Sequence, residues 1–179
     1  MITKERINSW IRQAYDIACK HGFHDEHRSD EHWLMLIITE ISEAIDADRK
    51  NRIAEVSDFN KRVPFNFKEN FEKYIKDSQD DEIADIVIRC FDFMGVKGWQ
   101  VDYSTTDTPV GIDEHPTFCE TAYGWVRSIV EPELSVELFE ALFKSIFHYC
   151  HEKGIDLEWH IDAKMRYNEL RPFRNGKQY

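Results

Sequence analysis

The stretch from Asp81 to about Val96 limits what this chain can fold into more than any other. Ile83, Ala84, Ile86, Val87, Ile88, Cys90, Phe91, Phe93 and Met94 spread so far around a helical wheel that one narrow polar stripe is left, made of Glu82, Asp85, Arg89 and Asp92. A helix this apolar has to be enclosed by neighbours, and a stripe this narrow reads as facing a bundle interior. The flanking sequence supplies the neighbours. Thr3 caps a helix carrying Ile7, Trp10, Ile11, Ala14, Tyr15 and Ala18, with Gly22 as its stop, and Ser29 or Asp30 opens a second helix running to about Lys50. Ser78 or Asp80 caps the third, and Gly98 closes it. Further helical patterns cover about Phe118–Val130, Ser135–Lys153 and Asp156–Leu170, the last stopped by Pro172.

Two stretches break the pattern. Residues 51–79 hold Pro64 and a weak helical patch around Phe71, Tyr74 and Ile75, and read as an insertion or lid; residues 99–116 read as a surface connection or a short hairpin. With 7 Gly and 5 Pro the composition also leans towards helices. The expectation is an all-α helical bundle of about five to six helices, one domain over residues 1–179, with a long insertion between helices two and three.

Charge removes whole classes of partner. With 34 acids against 23 bases, a net charge of -11 argues against a nucleic acid polymer or an anionic membrane as ligand. The longest apolar run, Trp33 to Ile38, is six residues, against the ~18–20 that span a bilayer. Cys19, Cys90, Cys119 and Cys150 are dispersed without CxxC spacing, and Met1 to Arg6 has no apolar leader core, so a reducing cytoplasm is the expected location.

Glu40 and Glu43 lie three apart, as do Glu82 and Asp85, so each pair projects from one helix face. Spacing alone decides little, since the chain has seven acid pairs at i, i+3 and roughly six are expected by chance at this composition. Context decides more. At about 100° per residue Glu40 falls on the apolar side of its helix with Leu36, Trp33, Ala44 and Ala47, and Glu43 at the border. Interior carboxylates are costly unless paired or metal-bound, and oxygen donors without His or Cys suit Mg²⁺ or Mn²⁺. The competing reading is an internal salt bridge, with Arg89 answering Glu82 or Asp85. On the last helix His160, Lys164, Asn168 and Arg171 fall on one ridge beside Tyr167, a cationic surface able to hold an anion such as a polyphosphate. A solvated helix end whose bases complement the macrodipole is the alternative.

The order Glu40-x-x-Glu43, Glu82-x-x-Asp85, then Lys164-x-x-x-Asn168-x-x-Arg171-Pro172 with Gly176 and Lys177 just after, resembles the MazG-like, all-α nucleoside triphosphate pyrophosphohydrolase superfamily, relatives of the dimeric dUTPases. The resemblance implies a Mg²⁺-dependent enzyme that cleaves between the α and β phosphates of a nucleoside triphosphate, releasing monophosphate and pyrophosphate, and a homo-oligomer. It assigns metal binding to Glu40, Glu43, Glu82 and Asp85, and phosphate or sugar contact to Lys164, Asn168 and Arg171. The 38 residues between Glu43 and Glu82 and two extra helical patterns before the last helix are closer to the larger, dUTPase-like members.

Glu40 or Glu43 is the expected water activator. Trp33, with His32 beside it, is placed either to stack on a nucleobase or to fill the core. The bases Arg49, Lys50, Arg52, Lys61, Arg62, Lys68, Lys73 and Lys76 could close over phosphates or be solvated. Weaker candidates are a zinc site at His24-x-x-His27 and a decayed second acidic pair at Glu137 and Glu140. A dUTPase-like enzyme and a non-catalytic helical module that binds a nucleotide or a protein are the rival functions.

Overall fold

Serine, threonine and aspartate side chains start most of the helices. In a computed structural model that describes residues 2–62, 65–102, 117–130 and 133–176, Thr3, Ser78, Ser135 and Asp156 each accept from the backbone N–H three residues on, at 3.1–3.3 Å. These caps open α1 (Lys4–Lys20), α5 (Gln79–Lys97), α7 (Val136–Lys153) and α8 (Leu157–Glu169). Between them lie α2 (Asp30–Arg49), α3 (Val56–Asn60), α4 (Phe67–Tyr74) and α6 (Phe118–Val130), and a 3-10 turn, Phe173–Gly176, follows α8. Gly98 and Gly154 close α5 and α7 at φ 68° and 71°, the left-handed conformation that a side chain would strain. The described residues contain no strand, and none of their helices is long and apolar enough to cross a membrane.

The third predicted helix, α5, is the axis of the structure. It packs against α1, α2, α7 and α8, while α6 fills in against α2 and α7. Its Ile83, Ala84, Ile86, Val87, Phe91, Phe93 and Met94 are all buried, as a helix apolar on nearly every side requires. Trp10 stacks on Phe91 from α1, and Phe139 and Trp99 meet Phe93 from the other side at ring distances of 5.3 and 5.9 Å.

Residues 51–79 hold more structure than the weak periodicity promises. Phe59 of α3 meets Phe67 and Phe71 of α4 edge-on, and Phe71 stacks on Tyr167 of α8 at 4.6 Å, so α3 and α4 form a small apolar cluster anchored on α8. The segment folds because its aromatics find partners far along the chain, a signal that no local pattern carries. Pro64 and most of the 99–116 connection, from residue 103 onward, lie outside the described residues.

Helix α1 crosses α5 closely enough that a Cβ built on Gly95 would sit 2.5 Å from the Cβ of Tyr15. Alanine at a helix interior normally gains about 1 kcal/mol over glycine, but here overpacking of about 1–3 kcal/mol opposes it. Gly95→Ala is therefore expected to lower the urea midpoint at unchanged m-value, and a raised midpoint would show that the two helices separate freely.

Candidate functional site

The polar stripe of α5 faces a seam between α1, α2 and α8. Glu82 and Asp85, one turn apart on α5, meet Glu40 of α2, and one carboxylate oxygen from each lies within 4.8 Å of the others. Glu40 arrives there because its neighbours Ile37, Ile41 and Ala44 are buried and carry it inward; Glu40 is 7% and Glu82 4% exposed. Glu43, one turn further, is exposed and lies at the edge of the same cavity, outside the convergent cluster.

Countercharges reach these acids from two directions. Arg89 Nε donates to Glu40 Oε1 at 2.9 Å, across to α2 rather than back to Glu82 or Asp85 on its own helix. The expected salt bridge thus exists with a different partner. Lys164 of α8 answers Asp85 at 2.7 Å and Asp81 at 2.6 Å, and at 3% exposed it is enclosed by them. Asp81 Oδ2 also accepts from the Asp77 backbone N–H at 3.0 Å. Glu82 Oε2, Asp81 Oδ1 and Asn168 Oδ1 are buried without a hydrogen-bond partner among the described residues.

Burial and the nearby Asp85 push Glu82 up to about 9, and the same two causes raise Glu40. Burial raises Asp81 to about 6 against the pull of Lys164. For Lys164, burial works against the charge, yet Asp81 and Asp85 overcome it and hold the ammonium above its ordinary range. Around neutral pH, Glu82 is the carboxyl that keeps a proton, because burial and Asp85 outweigh the pull of Lys164, which makes no ion pair with it. A carboxylate-only donor set with an orphaned buried oxygen fits a hard divalent cation, whose charge would replace that proton.

The cavity in front of the acids has a volume of about 180 Å³ and is also lined by Lys76, Asn168 and Arg171. It is smaller than the roughly 300–1,000 Å³ of ordinary ligand pockets, so a ligand of nucleotide size would extend beyond it. The segment after α8 clasps the end of α1: Arg174 N donates to His21 O at 2.9 Å, and Phe173 lies against Gly22, where a Cβ would collide with the ring. That clasp sets His21 and Arg171 at the rim.

Packing divides the α8 ridge read from the sequence. Lys164, Asn168 and Arg171 line this cavity, whereas His160 lines another with Asp80 and Trp159, and burial lowers its pKa to about 4, leaving it uncharged at neutral pH. Trp33 is 6% exposed, packs in the main core 5.0 Å from the His24 ring, and does not line the cavity. Of the bases in 49–76, Lys76 lines the cavity, while Lys50 pairs with Asp46 and both Lys61 and Arg62 with Asp58. His24 of the suggested zinc pair is bonded to Asp92 instead, at 2.7 Å. Asp81 escaped the sequence reading because Ser78-x-x-Asp81 resembles an N-terminal capping pair, and its burial depends on Lys164, 83 residues away.

A carboxyl raised from 4.5 to about 9 on folding binds a proton that the unfolded chain has already lost, so between those values stability falls as pH rises. In EDTA the melting temperature is expected to drop across this window, and Glu82→Gln to flatten the slope. Added Mg²⁺ should raise the melting temperature more at pH 8 than at pH 5, and not in Glu82→Gln; equal gains at both pH values would exclude Glu82 as a ligand.

No family model matches the chain, and neither a curated protein nor a solved structure matches it. The geometry of these side chains therefore carries the functional reading.

Proposed function

We propose that the chain is a Mg²⁺-dependent nucleoside triphosphate pyrophosphohydrolase that converts nucleoside or deoxynucleoside triphosphates to monophosphate and pyrophosphate. The observation that carries this reading is the meeting of Glu40, Glu82 and Asp85 in one cavity with Asn168 and Arg171. These are members of the three sequence blocks that resemble the MazG-like superfamily, and they come from helices far apart in the chain.

In this reading Glu40, Glu82 and Asp85, with Glu43 beside them, hold the cation, and Mn²⁺ would substitute for Mg²⁺. Once bound, the ion neutralises phosphate oxygens and makes phosphorus easier to attack. Arg171 and Asn168 bind phosphate or sugar oxygens from the facing wall. Lys164 takes a share of phosphate charge only while it also holds Asp85 in position, as its contacts with Asp81 and Asp85 require. Glu43 is the better base of the two candidates, because Glu40 Oε1 is already occupied by Arg89 whereas Glu43 has no hydrogen-bond partner among the described residues. It receives the proton of the attacking water as the bond to the leaving pyrophosphate breaks. The resemblance adds a homo-oligomer, the dispersed cysteines add a cytoplasmic location, and the broken periodicity of residues 51–79 adds an insertion. Trp33 is retained as a base-stacking candidate only if its helix shifts on binding.

One observation favours a second reading. Glu40 and Asp85 already have cationic partners, Arg89 and Lys164, as they would in a helical module that binds without turnover. Chromatography of products from a panel of ribo- and deoxyribonucleoside triphosphates separates the two. Monophosphate and pyrophosphate are expected with Mg²⁺ and not with EDTA, with kcat reduced roughly 10²-fold or more in Asp85→Asn and in Glu43→Gln. Release of dUMP and pyrophosphate from dUTP alone, with dTTP rejected, would indicate the dUTPase-like variant, and no turnover with either metal would leave the binding module.

A further inference from the structure

The cavity has two ends of different chemistry, and the function proposed above uses only one. Besides its charged groups the lining includes Ala14, Ile17 and Ala18 of α1, Ile88 of α5, and Phe23 from the turn that follows α1, whose ring centroid is 5.9 Å from the Arg89 guanidinium carbon. An apolar wall with an aromatic ring suits a flat heterocycle better than a phosphate. Asp92 stands at this end, the last member of the α5 polar stripe, and is 4% exposed.

Asp92 is held in a fixed orientation. Its Oδ1 is bonded to His24 Nε2 at 2.7 Å, and the His24 ring is itself packed between Tyr15 and Trp33 at centroid distances of 4.9 and 5.0 Å. Oδ2 has no hydrogen bond among the described residues; Arg89 attracts the carboxylate electrostatically without bonding to it. An ionised carboxylate accepts hydrogen bonds and donates none, so a buried one with an unused oxygen beside an apolar slot selects for a ligand that brings an N–H. Position supports this. Seven residues separate Asp92 from Asp85, about 10 Å along a helix rising ~1.5 Å per residue, a span comparable to that between the 5′ phosphate and the far edge of the base in a nucleotide.

We propose that Asp92, oriented by His24, reads the base, and that the substrates are nucleotides whose base carries an exocyclic amine. This rests on the pyrophosphohydrolase reading for where the phosphates lie. Adenine, cytosine and guanine present an amine to Oδ2. Thymine and uracil have no exocyclic amine, and their one base N–H, at N3, lies between two carbonyl oxygens that a carboxylate repels, so Oδ2 discriminates against them.

The test is equilibrium dialysis of the five deoxynucleoside monophosphates with Mg²⁺, alongside kcat/KM for the matching triphosphates. The wild type is expected to bind the adenine, cytosine and guanine monophosphates at least 10-fold more tightly than the thymine and uracil ones. In Asp92→Asn the carboxamide oxygen still meets His24 while its NH₂ now faces the slot, so the ranking should collapse or invert, with a KM effect larger than the kcat effect. A ranking unchanged in Asp92→Asn, a wild type that favours thymine or uracil, or binding of none of the five would each overturn the proposal. The wild-type ranking decides even if the variant does not fold. Dialysis that shows the Asp92-dependent ranking without turnover of any triphosphate would sink the pyrophosphohydrolase reading and leave the base reading standing; turnover without ranking would do the reverse.

Discussion

The ammonium of Lys164, enclosed between Asp81 and Asp85, is the interaction on which the rest of the site depends. It joins α8 to α5 in a region from which water is largely excluded, and it is the only cation at hydrogen-bond distance from either acid among the described residues. Removing one partner from such a buried set typically costs about 3–5 kcal/mol, because the charge left behind has nowhere to be solvated. The same contact brings Asn168 and Arg171, one and two turns further along the chain, to the cavity. The countercharge of Asp85 is therefore present only when α8 is seated.

The distribution of charge around this contact is uneven in a useful way. Arg89 pairs with Glu40 and the one ammonium of Lys164 is shared between Asp81 and Asp85, while Glu82 has no ion-pair partner among the described residues and holds a proton instead. Such an arrangement keeps an unfilled demand for positive charge at one oxygen. A fully paired cluster would have no affinity for an ion, and a fully unpaired one would have difficulty folding.

Much of this was legible in the sequence because it followed from periodicity. The apolar circumference of α5 required enclosure, its narrow stripe required an interior position, and Ser135 and Gly154 bracketed α7. Glu40 on an apolar face was the most informative residue, since burying it is unfavourable without a reason. What periodicity could not show was which charges meet across helices. Arg89 reaches Glu40 rather than the acids on its own helix, and Asp81 passed for a capping residue. His24, one of several histidines in a polar, irregular stretch, proves to be wedged between two aromatic rings against Asp92. Each of these depends on the crossing of helices brought together by distant packing, as does the order in residues 51–79, whose aromatics close on Tyr167.

The clasp between the 3-10 turn and the end of α1 has a consequence for the order of assembly. Phe173 against Gly22 and Arg174 on His21 link positions some 150 residues apart, and the cavity rim lies between them. During synthesis α1 to α7 emerge before the residues that complete this rim, so the acids of α5 wait without Lys164 until α8 has left the ribosome. Contacts of such long sequence separation slow folding, because the loop they close must be formed before they contribute. The site is thus completed late and as a unit, and a chain arrested before α8 would carry the carboxylates without the means to bury them.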